Sequence, residues 1–429
     1  MTAAGHSRAG AVVRVASGNF LEMYDFMVFG YYAAAIGAAF FPAASAPLSL
    51  LLALATFGAG FLMRPIGAIV LGAYADRHGR RAGLLLTLAL MAVGIFMTAC
   101  MPSYAVIGLA APLLVLAGRL LQGFSAGMEL GGVSVYLAEI APAGRRGFYV
   151  SWQSASQQVA VMFAALVGLA LNARLGAAQM SAWGWRVPLL LGCLVIPLVL
   201  WLRRSLEETA AFRAARQRPT LREVLGSLAA NWRIVSVGVL MVTMTTVSFY
   251  MITAYTPTFG TAVLHLSSVD SFIATLAVGA SNLVWLPLMG AWSDRIGRRP
   301  LLIGCTVLML CTAYPVLVWL TRAPSLAALL ATELWLSFLY ASYNGAMVVA
   351  LTEIMPPQVR TAGFALAYSL ATSLFGGFTP AICHFLIRLT HNPAIPGLWL
   401  AFAALCGLVA ALLTGALRPR DIPAAASSP

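Results

Sequence analysis

Apolar stretches, interrupted only at wide intervals by charge, run through almost the whole chain. Windows free of Asp, Glu and Arg cover 26–63, 82–118, 147–173, 187–202, 234–269, 271–293, 300–321, 334–352, 361–387 and 389–417. A helix that crosses the hydrocarbon core needs about 20 apolar residues, so each window holds one span or most of one. The apolar runs around 15–40 and 104–138 continue through their charged residues, which places those charges inside spans. The pattern predicts twelve helices, near 15–40, 47–75, 82–101, 104–138, 147–173, 182–202, 232–260, 270–292, 300–320, 324–352, 361–388 and 396–417. Ten or eleven spans would require 182–202 or 324–352 to be re-entrant.

Composition agrees with this pattern. The 429 residues are 61% hydrophobic and 9% charged, against roughly 25% charged in a soluble domain. The chain reads as an all-α, polytopic membrane protein. Its net charge of +13 raises the question of nucleic acid, which the placement of the charge answers. All 26 basic residues are arginine, and most fall in the termini and in alternate loops. Arg174, Arg186, Arg322 and Arg388 fall on the other side, and Arg64 and Arg119 lie within spans. That asymmetry is the positive-inside pattern and predicts both termini in the cytoplasm. No nucleic-acid motif accompanies the charge.

The six cysteines lie in or beside apolar spans without metal-ligand spacing and read as small core residues. No small-residue cleavage site follows a short apolar core at the N-terminus, so the first helix is expected to be retained. Walker and H-E-x-x-H sequences are absent. These observations argue against an enzyme and against an ATP-driven pump, and no cofactor is expected. Transport would have to be driven by an ion gradient or by the substrate itself.

Two sequences recur. GAYADRHGRR at 72–81 returns as GAWSDRIGRR at 290–299, 218 residues later and again at the end of a span. AEIAPAGRRG at 138–147 returns as TEIMPPQVRTAG at 352–363, aligning Glu139 with Glu353 at an offset of 214. The chain therefore divides into a six-helix half over 1–202, a cytoplasmic linker over 203–231, a second half over 232–417 and a tail over 418–429. Pseudo-symmetric halves of this kind place a substrate site at their interface.

The paired G-x-x-x-D-R-x-G-R-R loops resemble the signature of the major facilitator superfamily. RLLQGFSAGMELGG at 119–132, YLAEIAPAGRRG at 136–147 and WGWRVP at 183–188 are similar to its metabolite:proton symporter branch. GNFLEMYDF at 18–26 resembles the citrate and tricarballylate proton symporters within that branch. The resemblance implies that Asp76 lies against the N-terminus of the eleventh helix and, with Arg77 and Arg80, closes the cytoplasmic side. By symmetry Asp294, Arg295 and Arg298 would meet the N-terminus of the fifth helix. Gly72, Gly79 and their repeats Gly290 and Gly297 would permit close approach and a tight turn. Glu139 with Arg145 or Arg146, and Glu353 with Arg360, would complete two charge clusters. A carboxylate at a helix N-terminus gains roughly 0.3–1 kcal/mol, up to ~2 when partly buried, a strength suited to a latch that opens every cycle.

Polar residues at membrane depth supply the candidate chemistry. A charge near the bilayer centre costs at least about 2.5–3.5 kcal/mol, so an intramembrane acid is a functional candidate. Asn19, Glu22 and Asp25 form one stripe on the first helix, and Arg119, Gln122 and Glu129 form one on the fourth. Gln153 and Gln157 share a face of the fifth helix. Arg64 precedes Asp76 by twelve residues, about 18 Å, which puts it near the midplane. The repeat offsets place Asn282 opposite Arg64, Glu333 opposite Arg119, Tyr343 opposite Glu129, and Thr372 one residue beyond the counterpart of Gln157. Structural roles compete with these readings: Asn19, Gln153 and Gln157 as interhelical hydrogen-bond glue, Arg64 as a snorkelling or backbone-bound cation. Related sugar:proton symporters pair an Asp on the first helix with an Arg on the fourth, which makes Asp25 with Arg119 the expected pair. Asp25 is the expected proton carrier and Glu22 its rival. His265, His384 and His391 read as residues of the external interface.

Together these features predict an inner-membrane symporter, functional as a monomer, that carries a small organic acid with protons. A tricarboxylate such as citrate is the first expectation. A dicarboxylate, an oxo acid or an osmolyte is the alternative, and drug antiport and a transporter-like sensor are less favoured.

Overall fold

In the computed structural model the described residues are 20–78, 80–127, 129–204, 226, 229–355 and 360–415, and among them the fold is helical throughout. The helices are α1 (Phe20–Tyr31), α2 (Ala33–Phe40), α3 (Ala46–Phe61), α4 (Arg64–His78), α5 (Arg80–Cys100), α6 (Ala110–Ala126), α7 (Glu129–Ile140), α8 (Arg146–Arg174) and α9 (Arg186–Arg204). The second set is α10 (Trp232–Tyr250), α11 (Thr256–Ala262), α12 (Ser268–Ile296), α13 (Arg298–Arg322), α14 (Leu326–Ile354), α15 (Arg360–Ala371), α16 (Thr379–Thr390) and α17 (Pro396–Leu413).

Among the described residues, eight helices are long and apolar enough to cross a membrane, or up to ten if two bent pairs each count as one span. Leu85–Cys100 and Ala110–Ala126 are shorter apolar helices. Several expected spans are broken. The chain bends by 70° between α1 and α2. π-turns at Met251–Tyr255 and Thr372–Gly376 separate α10 from α11 and α15 from α16. Arg64 starts α4 immediately before Pro65, whose missing N–H is tolerated in the first turn of a helix.

The longest contact joins α8 to α12, antiparallel along their full lengths. Gly147 and Gly290 meet at one end, and a Cβ on either would land on the other's carbonyl oxygen. Gly168 packs on Phe272 at the other end. Helices that cross without lipid between them gain by such small-residue contacts, because the bilayer offers no hydrophobic drive for their association.

Candidate substrate and proton site

Two buried ion pairs lie side by side among α1, α4 and α6. Arg119 Nη1 donates to Asp25 Oδ2 at 2.9 Å and to Gln122 Oε1 at 2.6 Å. Arg64 Nη2 donates to Glu22 Oε1 at 2.7 Å. Arg119 is 0% exposed, and Asp25 and Arg64 are 2% exposed. Asp25 with Arg119 is the pair expected from the sequence. Glu22 with Arg64 is not: Glu22 stands as the counterion of a second arginine as well as a rival carboxyl.

Phe26 separates the two cations. Its ring centroid is 4.5 Å from the Arg119 guanidinium carbon and 5.0 Å from that of Arg64. Phe29 covers Arg119 at 4.4 Å and Phe61 covers Arg64 at 4.4 Å. Tyr250 reaches the cluster from α10, with its ring 5.2 Å from that of Phe61, and Tyr368 on α15 lies within electrostatic range of Arg64 and Glu22. None of these aromatics was singled out from the sequence. The signal was present: Glu22, Phe26 and Phe29 on one helix, and Phe57, Phe61 and Arg64 on the next, follow i, i+4, i+7 spacing and share a face.

The cluster retains unused donors. Arg119 Nε and Nη2, Arg64 Nε and Gln122 Nε2 are buried without a hydrogen-bond partner among the described residues, as is Gln153 Nε2 on α8. Buried donors left unmatched are costly, and a guanidinium presents its donors as a fork that fits a carboxylate. Such an arrangement can receive the carboxylates of an anionic substrate.

Other expected residues fall elsewhere. Asn282 receives a hydrogen bond from Ser337 Oγ at 2.8 Å and donates to Gln158 Oε1 at 3.2 Å, linking α12 to α8. That partner is one position beyond Gln157, which is buried on the same helix. Tyr343 does not face the cluster: its hydroxyl donates to the Met241 carbonyl at 3.0 Å and packs near Gly407, between α10 and α17. Thr372 opens the second π-turn and accepts from Thr246 at 3.4 Å. His384 is buried, not interfacial, with Nδ1 3.4 Å from Tyr255 Oη. Asn19 and Gly79 lie outside the described residues, as do the side chains of Glu129, Asp76, Arg77 and Arg80.

Two ends close over the cluster. At the end carrying the G-R-R loops, Asp294 accepts from the backbone N–H groups of Gly147 at 2.8 Å and Phe148 at 3.1 Å. This is the expected carboxylate at the N-terminus of the fifth span. Arg298 bonds Asp294 at 2.7 Å and Glu353 at 3.3 Å. Glu353 is therefore paired with Arg298 and not with Arg360. Arg295 is exposed.

In the first repeat, Glu139, Arg145 and Arg146 are exposed and make no ion pair with one another among the described residues, in keeping with the small gain from pairing charges in water. Gly72, expected at a close approach, has open space where a Cβ would stand. Gly297 has φ 89°, as a tight turn there requires. Helix α15 packs on α4, the helix that carries Asp76. At the opposite end Thr258 Oγ1 donates to the Gly30 carbonyl at 3.3 Å, and Tyr31 meets Phe272 with ring centroids 5.6 Å apart. Both ends are closed together, so the cluster is occluded.

The comparisons agree with this architecture. The model of the Major Facilitator Superfamily matches residues 15–380. The chain is 60% identical to the citrate-proton symporter of Salmonella typhi over 401 residues, 94% of this chain and 92% of the relative. It is also 60% identical to the citrate-proton symporter of Klebsiella pneumoniae over 410 residues, 96% and 92% of the two chains. Among solved structures, the D-xylose-proton symporter superposes with a TM-score of 0.75 at 22% identity, covering 96% of this chain and 98% of that one. The last likeness shows the fold alone.

Proposed function

The chain belongs to the major facilitator superfamily, and on that premise we propose that it is a multi-pass inner-membrane symporter importing citrate or a related tricarboxylate with protons. Twelve spans in two halves, over 1–202 and 232–417, carry it, with a cytoplasmic linker at 203–231, a tail at 418–429 and both termini in the cytoplasm. The unit of function is the monomer.

The observation that carries the reading is the pair of buried arginines whose spare N–H donors have no hydrogen-bond partner among the described residues. A tricarboxylate can engage both guanidinia at once, whereas a zwitterionic osmolyte brings one carboxylate. The relatives named citrate-proton symporters support the same cargo.

In the proposed cycle citrate takes donors of Arg119 that now face Asp25, and Asp25 receives the proton. Arg64, Gln122 and Phe26 orient the anion. Asp294 on the N-terminus of α8 forms one half of the cytoplasmic latch, and Asp76 on the eleventh span forms the other. The occluded arrangement is the state between loading and release.

The test is proton-driven uptake into vesicles competed by citrate, tricarballylate, aconitate, succinate, oxoglutarate and betaine. A tricarboxylate is expected to compete best. Strongest competition by betaine would overturn the anion assignment.

A further inference from the structure

A third buried carboxylate lies outside this cluster. Glu333 is on α14, about 10 Å inside its N-terminal end at 1.5 Å per residue, and is 3% exposed. Its Oε1 is 2.8 Å from Thr256 Oγ1, and its Oε2 has no hydrogen-bond partner among the described residues. No described arginine makes an ion pair with it, in contrast to Glu22 and Asp25.

The titratable and charged groups that the neighbouring elements carry in this outer region are, among the described residues, Tyr255 after α10, Asp270 on α12, the exposed Cys311, Tyr314 and Arg322 on α13, Arg174 on α8, and Cys383, His384 and the exposed Arg388 on α16. Asp270 is bound to Ser267, Tyr314 to Asn392, and His384 to Tyr255. Arg174 and Arg322 are exposed at helix ends. None of them compensates a charge on Glu333.

The proton count at Thr256 indicates the state of the carboxyl. Thr256 Oγ1 is 2.8 Å from Glu333 Oε1 and 3.3 Å from the Met251 carbonyl oxygen. A hydroxyl has one proton to donate. Both contacts are satisfied together only if the carboxyl carries a proton and gives it to Thr256 Oγ1 while the hydroxyl donates to Met251. The ionised form would lose one of these contacts and leave a buried charge without a counterion, which is strongly disfavoured. Thr256 also opens α11, the short segment that carries Thr258 to the Gly30 carbonyl at the outer closure.

We infer that Glu333 is a further proton-binding site, separate from the arginine cluster, and that its proton holds α11 against α14 in the outward-closed state. The inference rests on the reading of the chain as a proton symporter. The reaction is carboxylate plus a proton from the outer side giving the carboxylic acid, and the Thr256 contact re-forms as α11 closes. Loss of that proton to the inner side, after citrate has left, releases α11 and lets the outer face open again.

The experiment measures protons taken up per citrate by the full-length protein in proteoliposomes containing a pH-sensitive dye. Glu333→Gln keeps the side-chain shape and hydrogen bonding but cannot titrate. Because it mimics the protonated acid, it is expected to slow reopening of the outer face and so citrate turnover. In the turnover that remains it is expected to move one proton fewer per citrate than wild type. An unchanged ratio would overturn the role of Glu333, whereas wild-type protein that moves citrate without protons would overturn the symport reading itself.

Thr256→Val, which keeps the carboxyl, decides the matter if Glu333→Gln does not reach the membrane. An infrared band of a protonated carboxyl at neutral pH is expected in wild type, moving to higher frequency when the hydroxyl is removed. Absence of the band, or a band unmoved by the substitution, overturns the inference.

Discussion

Asp294→Asn tests the latch at a place where the geometry sets the size of the effect. The Gly147 and Phe148 N–H groups belong to the first turn of α8 and have no acceptor within the helix. Asp294 accepts from both and also pairs with Arg298. Asparagine keeps one acceptor oxygen, turns an NH2 toward the other donor and removes the charge. Loss of one charge-assisted hydrogen bond costs about 1.5–3 kcal/mol, and loss of the anion at a partly buried helix N-terminus adds up to ~2 kcal/mol. These terms overlap, so the closed state is expected to lose roughly 2–4 kcal/mol, a ~30- to ~1,000-fold shift at 1.4 kcal/mol per tenfold. The contact is made only when this face is closed, so the shift is toward opening. Hydrogen exchange of a peptide covering 146–152 reads it directly, because Asp294 is the hydrogen-bond acceptor of these two amides. Exchange faster by that factor, with citrate uptake sharply reduced, is expected. Unchanged protection at Gly147 and Phe148 in protein that reaches the membrane would refute the latch.

Three further outcomes follow from the cluster. Asp25→Asn is expected to retain citrate exchange in preloaded vesicles and to lose accumulation against a gradient, whereas Glu22→Gln retains both or fails mainly in binding. Expression must be checked, because removing one member of a buried pair costs about 3–5 kcal/mol, and proton-driven accumulation surviving in well-expressed Asp25→Asn would remove Asp25 from coupling. Phe26→Leu takes a ring from beside both guanidinia. Two cation–π contacts at about 0.5–1 kcal/mol each total about 1–2 kcal/mol, so citrate affinity should fall by roughly 5- to 30-fold at 1.4 kcal/mol per tenfold. An affinity within twofold of wild type would show that Phe26 only fills space.

The sequence made the helices legible because lipid exposure forces long apolar runs. It showed that Arg119 needs an acid nearby because a buried guanidinium is costly unpaired, while the resemblance to sugar:proton symporters pointed to Asp25 as that acid. Glu22–Arg64 was harder to anticipate. It joins two helices whose relative rotation depends on packing, and periodicity within one helix does not report that rotation. The repeat offset carried depth better than azimuth. Asn282 occurs buried where Arg64 predicts a polar group, yet Tyr343 is turned away from the cluster toward Met241. One residue rotates a side chain by about 100° around a helix of 3.6 residues per turn. The same rotation separates Gln157 from Gln158, the residue that meets Asn282. The π-turns were hidden for another reason. MITAY contains no breaker and TSLFG only Gly376 at its end, and their hydrogen-bond slip is selected by the neighbours they pack against.

The charge balance of the cluster determines the sign of coupling. Two guanidinia and two carboxylates leave it neutral without cargo, so an entering polyanion adds charge to a dry site unless something compensates. In the proposed cycle Asp25 and a citrate carboxylate seek the same donors on Arg119, and each weakens the other's hold. A proton on Asp25 removes the competitor and one negative charge together, so proton and anion favour each other's binding. Linkage is reciprocal: whatever factor the proton gives to citrate affinity, citrate returns to proton binding. Antiport would need the opposite sign, with cargo and proton excluding one another. A cationic cargo would produce that sign here by competing with the proton for Asp25. The donors left unused on Arg119 and Arg64 repel such a cargo and attract an anion. Anion recognition and symport therefore follow from the same feature, an arginine shared between substrate and a titratable acid.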